Sequence, residues 1–145
     1  MPKPKLFTVD QAEKTLPLVR RIVADISAAF ERLEGAARER QTLGLRPNPG
    51  SNAEARAFTL EREMQAGQEE ILRCQEELNE VGVELKDYRM GLVDFHSRYQ
   101  DRLVYLCWKS DDGGAIGWWH PLEAGFRGRQ PIATENRAQF LGRAK

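Results

Sequence analysis

Residues 43–52 read Leu43-Gly44-Leu45-Arg46-Pro47-Asn48-Pro49-Gly50-Ser51-Asn52. Two prolines and two glycines in so short a span make a loop. Its flanks make it the bend of a helical hairpin. Before it, apolar residues fall at Ala12, Leu16, Val19, Val23, Ile26, Phe30, Leu33 and Ala37, in steps of four and three without a slip. That is a heptad seam. After it, Ala53, Ala57, Leu60, Met64, Gly67, Ile71, Cys74, Leu78 and Val81 repeat the same steps. Two such helices joined by a short loop fold back on one another, and the loop favours this pairing over an extended intermolecular coil.

Punctuation supports the two helices. Thr8-Val9-Asp10-Gln11 has the form of a capping box, and Ser51-Asn52-Ala53-Glu54 repeats it. Asp10 and Glu13 put negative charge in the first turns, where the helix dipole favours it. Gly82 stands where a C-cap glycine belongs. Pro17 removes one backbone donor, so a kink or a new start capped by Thr15 is expected. Gly67, without a side chain on the seam, is expected to admit Phe30. Leu18, Ile22, Ala29, Phe58 and Leu72 widen the apolar stripes beyond the seam. That surface must be covered by the C-terminal region, by a second copy, or by both.

Beyond Gly82 the pattern changes. Gly91–Phe95 and Arg102–Trp108 are short, β-branched and aromatic, and read as strands. Asp112-Gly113 is a two-residue hairpin signal, with Ala115–Trp119 as the return strand. That turn sets Tyr105 opposite His120, Leu106 opposite Trp119 and Cys107 opposite Trp118. Tyr105, Cys107, Trp118 and His120 then share one face, and Leu106, Trp108 and Trp119 the other; a one-residue slip would scramble both. The expected fold is α+β: a long antiparallel two-helix hairpin over residues 8–82, a small antiparallel sheet of about three strands within 83–132, and a tail over 133–145 that is loose or a short helix. The sheet is expected to pack near the Gly82 end, and the hairpins to pair as a homodimer, giving a four-helix bundle.

Composition bounds the function. The chain has 145 residues, the size of one domain. Lysine plus arginine equals aspartate plus glutamate at 22 each, which argues against a dedicated nucleic-acid binder. The mildly basic tail is the one place where such binding would sit. Hydrophobic residues reach 41%, enough for a core. No apolar run is long enough to span a bilayer, and the opening residues carry no secretory pattern. With two cysteines, Cys74 and Cys107, not spaced as Cys-x-x-Cys, a reducing cytoplasm is expected. Phosphate-loop, nucleophile-elbow and His-Glu-x-x-His motifs are absent from the sequence.

The second half also reads as a signature: Gly82-Val-Glu-Leu-Lys-Asp87, Gly91-Leu-Val-Asp-Phe95, Val104-Tyr-Leu-Cys-Trp108, Trp119-His120 and Gly125-Phe-Arg-Gly-Arg-Gln-Pro-Ile132. With Phe7-Thr-Val-Asp-Gln-Ala12 and Leu16-Pro17, the chain resembles the bacterial family catalogued as domain of unknown function 2203. The resemblance implies a helical hairpin with a small sheet and a bacterial cytoplasmic setting. It implies no activity. Relatives usually carry proline where this chain has His96, which weakens any role for that histidine.

The chemistry-bearing residues lie in the aromatic C-terminal region. Asp94 sits in an apolar strand, where aspartate needs a partner or a task. Its bland partners would be Arg98 or Arg102. His120, beside two tryptophans, could join Asp94 and Glu123 as a one-histidine, two-carboxylate site for a divalent metal such as zinc or iron. Its bland role is a hydrogen bond to Tyr105 or a backbone carbonyl. Arg127 and Arg129, in a glycine-freed segment, and Arg98 could bind an anionic small molecule. Cys107 reads as small apolar packing, or as a nucleophile were His120 its base. The leading expectation is a metal or anion pocket in the β-rich region, with metal-assisted hydrolysis as the least forced reaction class. The competing expectation is a non-enzymatic interaction module that binds through the hairpin.

Overall fold

The computed structural model describes residues 4–142. Two helices lead: α1, Val9–Thr42, and α2, Asn52–Val81. Five strands follow among the described residues: β1, Val83–Asp87; β2, Leu92–Tyr99; β3, Arg102–Trp108; β4, Trp118–Pro121; β5, Gln130–Pro131. They form one antiparallel meander in chain order. The α+β architecture is as expected, with five strands rather than about three.

The helix ends follow their capping chemistry. The Thr8 hydroxyl accepts from Gln11 N at 3.0 Å, and the Gln11 side chain accepts from Thr8 N at 2.9 Å. At α2 the box is offset: Ser51 accepts from Glu54 N, but Glu54 accepts from Gly50 N instead of Ser51 N. Gly82 closes α2 with φ 96°, a left-handed cap. Pro17 neither ends α1 nor restarts it; the helix runs through, and the Thr15 hydroxyl donates back to Ala12 O at 2.7 Å. Ion pairs Arg21–Glu77, Arg32–Glu70, Arg40–Glu61 and Arg56–Glu39 run between the helices and mark their antiparallel register. All are surface pairs, and such pairs add little stability.

The core lies between the sheet and the Gly82 end of the hairpin. Val9, Ala12, Leu16, Val19, Ile22, Val23, Ile26 and Ala29 of α1 and Ile71, Cys74 and Leu78 of α2 meet Val93, Phe95, Val104, Leu106, Trp108 and Trp119 of the sheet. The sheet thus covers Ile22 and Ala29, while Leu18, Phe58 and Leu72 stay exposed. Beyond Ala29 only Ala36, Ala57, Leu60 and Gly67 are buried in the two helices, and past Glu34, the last α1 residue that Tyr88 and Arg89 reach, the helices pack on each other. Gly67 faces Leu33 Cβ and Ala29 O; Phe30 instead stacks on Tyr88 with ring centroids 3.8 Å apart.

The β3–β4 connection needs correction. The β3–β4 register is as expected, with Tyr105 opposite His120, Leu106 opposite Trp119 and Cys107 opposite Trp118. Yet the turn is not tight. The chain leaves the ladder at Trp108, makes a 3-10 turn at Ser110–Asp112, and returns only at Trp118. Asp112 caps that turn through Lys109 N, and Ile116 dips into the core instead of extending a strand. The tight hairpin is the one before it: Gln100 (φ 52°) and Asp101 (φ 63°) join β2 to β3 with both turn residues left-handed. Of the two states expected of the tail, its described part takes the short helix, and it is docked. Thr134–Gln139 is 3-10, Phe140 is buried and stacks on Tyr99, and Leu141 bridges to Arg98 by two backbone bonds. Residues 143–145 lie outside the described residues.

Candidate functional site

Alternation along each strand puts Val93, Phe95, Val104 and Leu106 toward the helices, so their neighbours point away. Two rows cross this outer face. Glu84, Asp94, Cys107, Trp118 and Pro131 face one another in turn from β1 to β5; His96, Tyr105 and His120 form the adjacent row over β2, β3 and β4. An outer face is ordinarily polar and wet. Here Asp94 is 3% exposed, Cys107 0% and His120 2%, so ionisable groups are sealed away from water.

Asp94, Cys107 and His120 each contribute one donor atom to a buried cluster, and the three atoms lie within 4.8 Å of one another. His120 Nε2 is 3.3 Å from Asp94 Oδ1, and His120 Nδ1 is 2.8 Å from Pro121 O. A carbonyl only accepts, so Nδ1 carries the hydrogen and donates it. Nε2 is then the nitrogen turned to the cluster. Fixing one ring nitrogen on a backbone carbonyl is how metal-ligating histidines are oriented.

Burial pushes the Asp94 carboxyl above its ordinary range, and the neighbouring His120 offsets part of that. Burial, reinforced by Asp94, pushes the Cys107 thiol up to about 12, although Arg129 beside the sulfur works the other way. Both ring nitrogens of His120 are engaged, by Pro121 O and Asp94. Neither is left to take the thiol proton, so the arrangement is not a nucleophile–base–orienter relay. It is a convergent donor set, and each of its buried polar atoms has a hydrogen-bond partner.

Two covers close the set. On the β1 side, Glu84 accepts from Tyr105 OH at 3.2 Å and pairs with Lys86 at 2.6 Å, while the Lys86 ammonium lies 4.8 Å from the Tyr105 ring centre. His96 packs on Tyr105 with ring centroids 4.7 Å apart. On the β5 side lies the strap of residues 122–131. Arg129 reaches back from it to Asp112 with Nη1 and Nη2 at 2.9 and 3.3 Å. Its guanidinium sits 4.4 Å from the Trp118 ring centre and 4.7 Å from that of Phe126.

The structure therefore brings together Asp94 and His120, with Arg129 at their edge, and leaves the other expected site residues apart. Glu123 is exposed in the turn after β4 and is outside the convergent group. Arg127 is exposed on the strap. Arg98 lies four residues along β2 from Asp94, about 13 Å away along the strand, where its backbone holds Leu141. Asp94 takes His120 rather than Arg98 or Arg102 as its partner. The member that sequence reasoning passed over as a ligand is Cys107. The register that set it on the His120 face was the signal for it.

The chain belongs to the family described as "Uncharacterized conserved protein (DUF2203)", whose model matches residues 5–132. No curated protein and no solved structure matches it. Among the described residues, no helix is long and apolar enough to cross a membrane.

Proposed function

We propose that the outer face of the sheet is a divalent-metal centre held by Asp94, Cys107 and His120. The observation that carries this reading is the convergence of three buried donors from three adjacent strands within 4.8 Å. The donor set of one thiolate, one imidazole and one carboxylate favours zinc over harder cations. Cys107 takes the third place that Glu123 was expected to fill. Three protein ligands leave a fourth position, and the reaction class suited to such a centre is hydrolysis of a small anionic substrate, with Arg129 as the cation beside Cys107. The two cysteines are free, which fits a single domain working in a reducing cytoplasm.

Elemental analysis of the untagged protein, beside His120→Ala and Cys107→Ser, tests the centre. Near-stoichiometric zinc in the parent and its loss in both variants supports it. An empty parent that also fails to take up added zinc removes it.

A second reading is favoured by the uncovered far half of the hairpin. There a cleft of about 520 Å³ runs between the helices past Gly35, Ala36, Leu60, Ala66 and Gly67, and Phe58 is 62% exposed. A second copy pairing along this half would make the four-helix bundle. Light scattering that finds a dimer, dissociated by Phe58→Ala, supports it; a monomer at all concentrations removes it.

A further inference from the structure

Sealed as it is, the centre has no route to solvent unless a cover moves. The helical side is core. The β1 side is part of the sheet, with four residue pairs tying β1 to β2, so lifting it would break the ladder. The strap is held far more lightly. Its strand β5 has two residues and two pairings. Ile132 N to Gly117 O and Ala124 N to Pro121 O fasten its ends. Gly125, at φ 43°, bends it where a side chain would be strained.

Between those ends the strap has one strong tie, the Arg129–Asp112 fork. Each side chain of that pair is 13% exposed, so the pair works at low dielectric and is little screened. Asp112 belongs to a different loop, capped onto Lys109 N, and so offers a fixed post. Arg129 stands beside the Cys107 sulfur and over Trp118, the residue opposite Cys107.

We propose that the strap of residues 122–131 is the gate of this centre and that the Arg129–Asp112 pair is its latch. Releasing the latch swings Arg129 off Trp118 and opens Cys107 to solvent while the sheet stays paired. The inference rests on the metal-centre reading only for what passes the gate.

The test uses the two cysteines as internal clocks. The full chain, treated with EDTA, is labelled with iodoacetamide, and modification of Cys107 and Cys74 is followed separately by mass spectrometry. Cys74 lies in the hairpin core, 7% exposed, on a helix that the latch does not touch, so its rate reports loosening of the hairpin. Asp112→Asn should speed Cys107 labelling about tenfold and leave Cys74 unchanged, because the charged fork is weakened while the amide oxygen can still accept from Lys109 N. Arg129→Lys keeps the charge but loses the fork, and should give a smaller rise at Cys107 alone. Equal acceleration of both cysteines would mean general loosening and would overturn the gate. No acceleration at Cys107 in either variant would overturn the latch. A protein that takes up no metal defeats the metal reading and leaves this labelling result standing by itself.

Discussion

Asp94 on β2 and His120 on β4 meet at 3.3 Å above β3, the strand that separates them. With Nδ1–H given to Pro121 O, the facing Nε2 and Oδ1 need a proton between them, on one atom or the other. Two bare acceptors would repel in so dry a place.

That shared proton separates stability from metal binding. Asp94→Asn supplies an amide N–H to Nε2, so it should cost only about 1 kcal/mol in urea unfolding. Yet it removes the carboxylate of the proposed centre and should abolish zinc uptake. His120→Ala leaves the carboxyl buried without its partner and should cost about 3 kcal/mol or more. Equal losses of stability in the two variants would contradict the shared proton.

Cys107 should behave as an inert thiol until a metal arrives. With its thiol pushed up to about 12, the metal-free protein should show no Cys107 thiolate absorbance at neutral pH. Cobalt(II), used as a spectroscopic stand-in for zinc, should produce a sulfur-to-metal charge-transfer band. Cys107→Ser should lack the band while keeping the fold's far-ultraviolet dichroism.

Glu13 should govern acid stability. Its carboxylate receives a fork from Arg137 at 2.7 and 3.2 Å and the backbone N–H of Ile116 at 2.8 Å, so one residue of α1 secures both the β3–β4 loop and the tail. Arg137 is the main cause holding its carboxyl below the usual range, against burial and Asp10. A depressed folded value stabilises fully above the unfolded value near 4.5 and is lost as pH falls through the folded one. Glu13→Gln should therefore lower stability by about 1 kcal/mol at pH 7. The gap between variant and parent should shrink progressively below about pH 4.5. A gap independent of pH in urea titrations would exclude this linkage.

Two glycines should respond with opposite signs. A Cβ at Gly67 would meet Leu33 Cβ at 3.5 Å, an ordinary contact, so Gly67→Ala should stabilise α2 by about 0.5–1 kcal/mol. At Gly82, φ is 96° and a Cβ would come within 3.0 Å of Lys5, so Gly82→Ala should destabilise by about 1–2 kcal/mol. Thermal melts that move both the same way would refute the contrast.

The hairpin and both its caps were legible because heptad spacing and capping chemistry are local. The β3–β4 register was legible for a less direct reason. Asp112 and Gly113 mark the centre of the pairing even though the chain between Trp108 and Trp118 does not follow a tight turn. β1 went unread because its five residues follow the Gly82 cap at once. β5 has only two residues and no pattern to find. The tight Gln100-Asp101 turn lacks glycine or asparagine, so it gave no signal. Of the site, Asp94 and His120 were found because each is the wrong residue type for its strand. Their meeting across β3 is a tertiary fact, and the arginines offered as partners for Asp94 were merely near in sequence. Cys107 was discounted because a cysteine among aromatics looks like packing; only its place in the row opposite Asp94 makes it a donor.

The last α1 residue in the core cluster is Ala29, and the helix runs on to Thr42. At 1.5 Å per residue, the hairpin runs on about 20 Å past that residue. Every donor of the centre lies within residues 94–120, and none comes from that projecting arm. Arm and centre are therefore separable variables. Adding or deleting one heptad in each helix together would change the arm's reach by about 10 Å. The seam would stay in register and every distance at the centre would stay as it is, so reach can be changed without touching the donor cluster.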